Sequence, residues 1–276
     1  MKDNLRIIPK LDIKGPNIVK GVNLEGLRAL GSPRDFIEYY YNNFADELIY
    51  HDVVASLYLR NNLRELLKKT SKNIFIPITA GGGIRSERDV QELISSGADR
   101  IFINTSALNK PDLIKQVVTN FGSSTILISI ESIFYEGSYY CSKDFGREKT
   151  NIKVEEWIKQ IQDFGAGEII LTSVNKEGTG TGFDLNLASK ITNICKIPYI
   201  INGGFGKKSH INELLNVCNP SGIAISSAFH YNLGKSFSKI NKNEGNFEFI
   251  ENRKNYLKFE PSNIKDLKSY VKNLQS

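Results

Sequence analysis

The sequence predicts an α/β fold, a (β/α)8 TIM barrel assembled from two similar halves. Two observations carry this. Short Ile-rich runs recur along the 276 residues, each followed by a helical pattern. Such runs, apolar on both faces, suit parallel strands covered on both sides. The chain also aligns with itself. "PITAGGGIRSERDVQELISSGADRIFIN" (77–104) matches "PYIINGGFGKKSHINELLNVCNPSGIAIS" (198–226): strand, glycine pair, helix, small turn, strand. Repeated β-then-α units in a chain of this length point to a closed barrel, with a doubly wound open sheet as the alternative.

The runs are, in order, "LRIIPKLDI" (5–13), "DELIYHDVVAS" (46–56), "IFIPITAGGG" (74–83), "DRIFINTSA" (99–107), "STILISIES" (124–132), "GEIILTSV" (167–174), "IPYIINGG" (197–204) and "SGIAISSAF" (221–229). The clearest helices lie between them. "SERDVQELISSGA" (86–98) has Ser86 as N-cap, "PDLIKQVVTNFG" (111–122) starts on Pro, and "VEEWIKQIQDFGAG" (154–167) has apolar residues at helical spacing. Residues 234–261 are polar, Asn/Lys-rich and dotted with aromatics. They read as an insertion between the last strand and the last helix, which resumes at "SNIKDLKSYVKNL" with Ser262 as cap. The whole chain, 1–276, therefore reads as one barrel domain.

The hydrophobic fraction of 40% and charged fraction of 24% support a sizeable core. The net charge of +6 is spread along the chain, which favours solvated surface over a nucleic-acid face and suits phosphorylated metabolites. Three cysteines without CxxC spacing suggest neither a disulfide framework nor a zinc site. No run approaches membrane-spanning length and the N-terminus lacks a signal pattern, so a cytoplasmic protein without membrane partners is expected. Nothing resembles a metal-ligand cluster, and no cofactor is expected.

Active sites of such barrels sit at the carboxyl ends of the strands. Asp12 ends the first run and Glu131 the fifth, so the half-barrel repeat places them on opposite walls of one mouth. Two acids facing each other work as a general acid/base pair when burial and repulsion separate their pKa values. Either acid alone is as well explained as a helix cap or a lysine partner. "AGGGIR" (80–85) and "NGGFGK" (202–207) follow the third and seventh runs. Their glycines, Gly82 with Gly83 and Gly203 with Gly204, let backbone N–H groups approach phosphate. Two such loops at repeat-related positions suggest a ligand with a phosphate at each end. Asn104 with Thr105, and Ser226 with Ser227, complete the cradles. Lys20 is placed to reach over one phosphate, and Gly178 lies in a Gly/Thr loop (175–184). On the second run Asp52 is expected to face the lumen and His51 the helix layer.

In sum, "RIIPKLDIKG", "ADELIYHDVVAS", "GGGIR", "GADRIFINTSA", "FGSSTILISIES", "EGTGTGFD" and "NGGFGK" resemble, in that order, the cyclase subunits of imidazole glycerol phosphate synthases. The resemblance implies a cyclase that takes ammonia from a glutaminase partner and adds it to a ribulosyl aminoimidazole-carboxamide ribonucleotide carrying two phosphates. The products are imidazole glycerol phosphate and an aminoimidazole-carboxamide ribonucleotide. It implies Asp12 as first catalytic acid and a substrate pocket including Lys20, Asp52, Gly82, Asn104, Thr172, Gly178, Gly203 and Ser227. It also implies an ammonia gate of Arg6, Glu47, Arg100 and Glu168 at the barrel's amino end, with Asp99 at the partner interface.

Four residues depart from the family pattern. Glu131 stands for its second catalytic Asp, Glu177 for a loop Asp, Lys10 for a Cys and Asn202 for a Ser. Lys10 shares a strand face with Asp12, which brings a lysine into the lumen. With the 234–261 insertion, these changes also suit two other readings: a paralogue delivering ammonia for amidation of surface sugars, and a catalytically silent scaffold for the glutaminase.

Overall fold

A computed structural model describes residues 5–55, 63–233 and 259–275. Among them, parallel strands β1 (Arg6–Lys14), β2 (Leu48–Asp52), β3 (Ile78–Gly81), β4 (Arg100–Ile103), β5 (Ile126–Tyr135), β6 (Glu168–Ser173), β7 (Tyr199–Asn202) and β8 (Gly222–Ile225) pair in chain order. β8 then pairs with β1 and the cylinder closes. The expected barrel is therefore the observed one. Each strand starts in one of the apolar runs, because the part of a strand walled by helices outside and a packed bore inside has no wet face.

Helices α1 (Pro33–Asn42), α2 (Leu63–Thr70), α3 (Glu87–Ile94), α4 (Asp112–Phe121), α5 (Val154–Asp163), α6 (Leu185–Thr192), α7 (Ser209–Leu215) and α8 (Ile264–Gln275) are described around it. Ser86 caps α3 as expected: its side chain accepts from Asp89 N–H, and the Asp89 carboxylate closes the capping box. For α8 the expected cap is off by one. Asn263 Oδ1 accepts from Asp266 N–H at 2.8 Å, whereas Ser262 donates to the Glu260 carbonyl. Residues 234–258 of the expected insertion lie outside the described residues.

Strand periodicity fills the bore in layers. At the amino end stand Arg6, Glu47, Arg100 and Glu168. Above them lies an apolar layer of Ile8, Ile49, Phe102, Leu127, Ile170, Ile200 and Ala224. Gly81 belongs there for a steric reason. A Cβ at that position would sit 2.6 Å from the Phe102 ring. Lys10 and then Asp12 follow on β1. The larger apolar core lies between strands and helices, with Trp157 of α5 1% exposed.

Two antiparallel excursions, which the sequence reading did not anticipate, roof the carboxyl end. After β1 the chain forms a hairpin of Asn17–Val22 and Glu25–Gly31. β5 runs past the barrel rim to Tyr135 and returns through Ser138–Lys143 and Glu148–Lys153. Val19, Leu24, Val53, Val54, Phe145 and Val174 form a small apolar cluster at the mouth, tying both excursions to the loops after β2 and β6.

Candidate active site

Asp12 and Glu131 both face the bore, buried, from opposite strands β1 and β5. Glu131 is not at a strand tip. It lies midway along β5, opposite Thr172 of β6 on one side and Ser142 of the excursion on the other.

The two acids have different company. The Asp12 carboxylate accepts from Lys10 Nζ and, at 2.6 Å, from Lys20 Nζ. Burial pushes its pKa up, but Lys10 and Lys20, helped by His51, hold it well below the usual carboxylate range. Glu131 accepts one backbone N–H, from Gly146 at 2.9 Å. Burial, with Asp12 and Asp144 adding to it, raises Glu131 to about 7 against the pull of Gly146 N–H and Lys10. Near neutrality one acid is thus an anion and the other is half protonated.

Lys20 does not reach over a phosphate cradle. Its ammonium is bound by Asp12 and by Glu177. Burial lowers its pKa, but those two carboxylates raise it more, so it stays charged. Lys10 enters the bore as strand alternation requires, its side chain 4% exposed.

Beside Glu131 opens a cavity of about 410 Å³. Gly82, Gly83, Asn104, Thr105 and Asp52 line it together with Glu131 and His51. The Asn104 Oδ1 is buried without a hydrogen-bond partner. Thr105 Oγ1 accepts from Asp144 N–H. Asp52 borders the cavity, its Oδ1 accepting from Val54 N–H at 3.1 Å.

The repeat-related cradle holds only about 10 Å³. Gly178, Gly203, Gly204, Ser226 and Ser227 do meet there, with Glu177 and Asn202. The loop after β6 fills the space: Gly182 N–H donates to the Gly204 carbonyl at 2.8 Å. Gly204 is at φ +99°, and a Cβ on it would lie 2.1 Å from the Gly182 oxygen. Here the glycine serves loop packing. Asn202 Nδ2 donates to Thr172 Oγ1 at 3.0 Å and to Glu177 at 3.3 Å. Ser226 Oγ donates to the Lys10 carbonyl at 2.7 Å, while Ser227 Oγ is buried and unpartnered.

At the amino end Arg6, Glu47, Arg100 and Glu168 form a closed ring of alternating charge. Arg6 meets Glu47 at 2.7 Å and also Glu168, and Arg100 meets Glu168 at 2.6 Å and Glu47 at 3.6 Å. Asp99 is exposed on the same end and accepts from Ile78 N–H at 2.8 Å.

His51 is the residue that the sequence reading misplaced. It faces the bore, opposite Asp12 in the β1–β2 register, with Nδ1 3.5 Å from Asp12 Oδ1. The signal was available. Glu47 in the ring fixes residues 49 and 51 inward on the same strand. Asp52 reaches the mouth only because the strand ends there. Gly146 was also missed; it lies in the unanticipated excursion.

Among the described residues no cluster suits a metal ion, and no helix is long and apolar enough to cross a membrane. Cys141, Cys195 and Cys218 are free.

Comparison with known proteins agrees with this architecture. A subunit from Legionella pneumophila named imidazole glycerol phosphate synthase subunit HisF is 50% identical over 210 residues, 76% of this chain and 99% of that protein. The proteins of the same name from Staphylococcus aureus strain JH9 and a Hydrogenobaculum species are each 39% identical over 227 residues, 82% of this chain and 90% of theirs. The histidine biosynthesis protein family matches residues 6–235, and the chain belongs to that family.

Proposed function

We propose that the chain is the cyclase subunit of an imidazole glycerol phosphate synthase, a lyase-type step of histidine biosynthesis coupled to a glutamine amidotransferase. A glutaminase subunit docks at the amino end. Ammonia enters through the Arg6, Glu47, Arg100 and Glu168 ring, passes the apolar layer and meets the ribulosyl aminoimidazole-carboxamide ribonucleotide at the mouth. Imidazole glycerol phosphate and the aminoimidazole-carboxamide ribonucleotide leave.

The observation that carries this reading is the pair of buried acids of opposite protonation tendency at the head of one axial bore. Asp12, held ionised by two lysines, stabilises developing positive charge and serves as base. Glu131, raised to about 7, donates the proton that ring closure and cleavage require. Asn104, with an unpartnered oxygen, and Gly82, Gly83 and Thr105 take one end of the substrate. Gly178, Gly203, Gly204 and Ser227 take the other once the loop after β6 lifts. For ammonia to enter, one arginine of the ring must swing aside. Phe75 (80% exposed) and Phe44 (64% exposed), in the loops before β3 and β2, give that end an apolar rim for a partner, and Asp99 is exposed at the same end.

The test supplies ammonium salt and the ribulosyl ribonucleotide to the purified chain and follows loss of substrate absorbance. Turnover that Asp12→Asn abolishes is expected. No turnover together with tight binding of the glutaminase would replace this reading with the sugar-amidation one. Full activity in Glu131→Ala would remove Glu131 from the chemistry.

A further inference from the structure

Asp12 is buried and does not border the cavity, whereas His51 does. The imidazole Nδ1, 3.5 Å from Asp12 Oδ1, is buried and has no hydrogen-bond partner. That separation is about half an ångström too long for a hydrogen bond, so a small ring rotation closes it. The ring is otherwise gripped. Phe102 packs edge-on at 5.0 Å and 82°, and Phe145 at 5.3 Å and 68°. Phe102 belongs both to the apolar layer of the bore and to the cavity wall. The imidazole thus packs on the ring that joins the apolar layer to the cavity.

We propose that His51 and Asp12 form a dyad: Asp12 keeps the proton on Nδ1, and Nε2 receives an N–H of ammonia arriving at the cavity. A carboxylate facing one ring nitrogen fixes the tautomer and frees the other as acceptor. Ammonia has three N–H bonds and one lone pair. Accepting one N–H leaves the lone pair free for the substrate, and no bond is made or broken at His51. The groups facing the ring favour its neutral form. Burial, then the ammonium of Lys10 and that of Lys20, lower His51 to about 4 against the pull of Asp12. Lys10 and Lys20 themselves carry no acceptor. His51 is thus a positioning residue for the nucleophile. The ammonia half of the proposal rests on the cyclase function; the dyad does not.

Two measurements test it. In wild-type protein labelled with ¹⁵N-histidine, His51 is identified against His210 and His230 by the signals that His51→Gln removes. The expected pattern is protonated Nδ1 and bare Nε2, with the Nε2 signal moving saturably as ammonium chloride is added in mildly alkaline buffer. A proton on Nε2, or no movement, overturns the proposal, and this readout needs no turnover. In ammonium-driven turnover, His51→Leu raises the KM for ammonia by about tenfold, the order of one hydrogen bond. The KM for the ribonucleotide stays put. His51→Gln, whose Oε1 replaces Nε2, recovers most of the loss. Parallel rises in both KM values, or none, overturn the proposal. If wild-type protein turns nothing over, the cyclase reading fails and the spectra still decide the dyad.

Discussion

The two halves of the barrel carry the same devices and have put them to unequal use. Behind β3 the glycine pair looks onto open space of about 410 Å³; behind β7 the equivalent pair looks onto about 10 Å³. The acids differ in the same way. Asp12 in the first half is clamped by two lysines, while Glu131 in the second has one backbone donor. A repeat transmits backbone geometry. What a position does is then set by its neighbours: Glu177 and the loop after β6 occupy one cradle, and among the described residues no counterpart occupies the other.

The sharpest way to break this comparison is to neutralise each acid in turn. Asp12→Asn takes the shared carboxylate from two buried ammonium groups, leaving Lys20 its contact with Glu177. It is expected to abolish turnover and to cost about 3–5 kcal/mol of stability, as breaking a buried pair does. Chemical denaturation of the variant measures this directly. Glu131→Gln leaves no buried charge behind. It is expected to lower kcat by roughly 10²–10⁴-fold, the range for a lost general acid, with little loss of stability. Equal destabilisation by both substitutions would mean that the acids are interchangeable after all.

The pH dependence separates them further. Glu131 is raised from its ordinary 4.5 to about 7. Its contribution to stability is therefore full below about 4.5 and lost as pH rises through about 7. Asp12 is depressed, so its contribution is present above its ordinary 3.8 and lost as pH falls below it. Urea unfolding across pH should show declines on both sides. The upper one, and a fall in turnover as pH rises through about 7, should vanish in Glu131→Gln.

Much of this was legible in the sequence. All the barrel strands announced themselves, because burial on both faces leaves a continuous apolar run. Both acids were legible as well, and the charge ring through the family resemblance. The missed parts are those where tertiary contact outweighs local pattern. The excursion at 138–153 has no apolar run, since its strands cover the mouth with one face only. Alternation alone leaves open which of His51 and Asp52 faces the lumen; Glu47, four positions before His51, settles it for His51. The closed second cradle was illegible for a different reason. "NGGFGK" and "AGGGIR" look alike, and nothing in either states that Gly182 will donate to Gly204.

The cradles can be compared at their strand tips. Asn104 Oδ1 is buried without a partner, so Asn104→Ala removes a group that waits for a ligand. The KM for the ribonucleotide is expected to rise by about tenfold, the order of one hydrogen bond, while loss of the Nδ2 bond to the Ser142 carbonyl at 3.3 Å costs at most about 1 kcal/mol of stability.

Ser226, its counterpart after β8, is already employed. Its hydroxyl donates to the Lys10 carbonyl, which also contacts His230 Nε2 at 3.0 Å. Burial, then Lys20, lowers His230 to about 3, so this ring is neutral and a proton on Nε2 suits the contact. Ser226→Ala therefore removes one of the side-chain partners of a buried carbonyl. The expected cost is about 1 kcal/mol of stability with the ribonucleotide KM changed by less than about twofold. Lys10 is the reason the residue matters: its backbone is pinned by Ser226 and His230 while its ammonium holds Asp12. If Ser226→Ala instead weakened substrate as much as Asn104→Ala does, the second cradle would have to be open in solution, and the two halves would be equivalent at their tips as they are in their glycines.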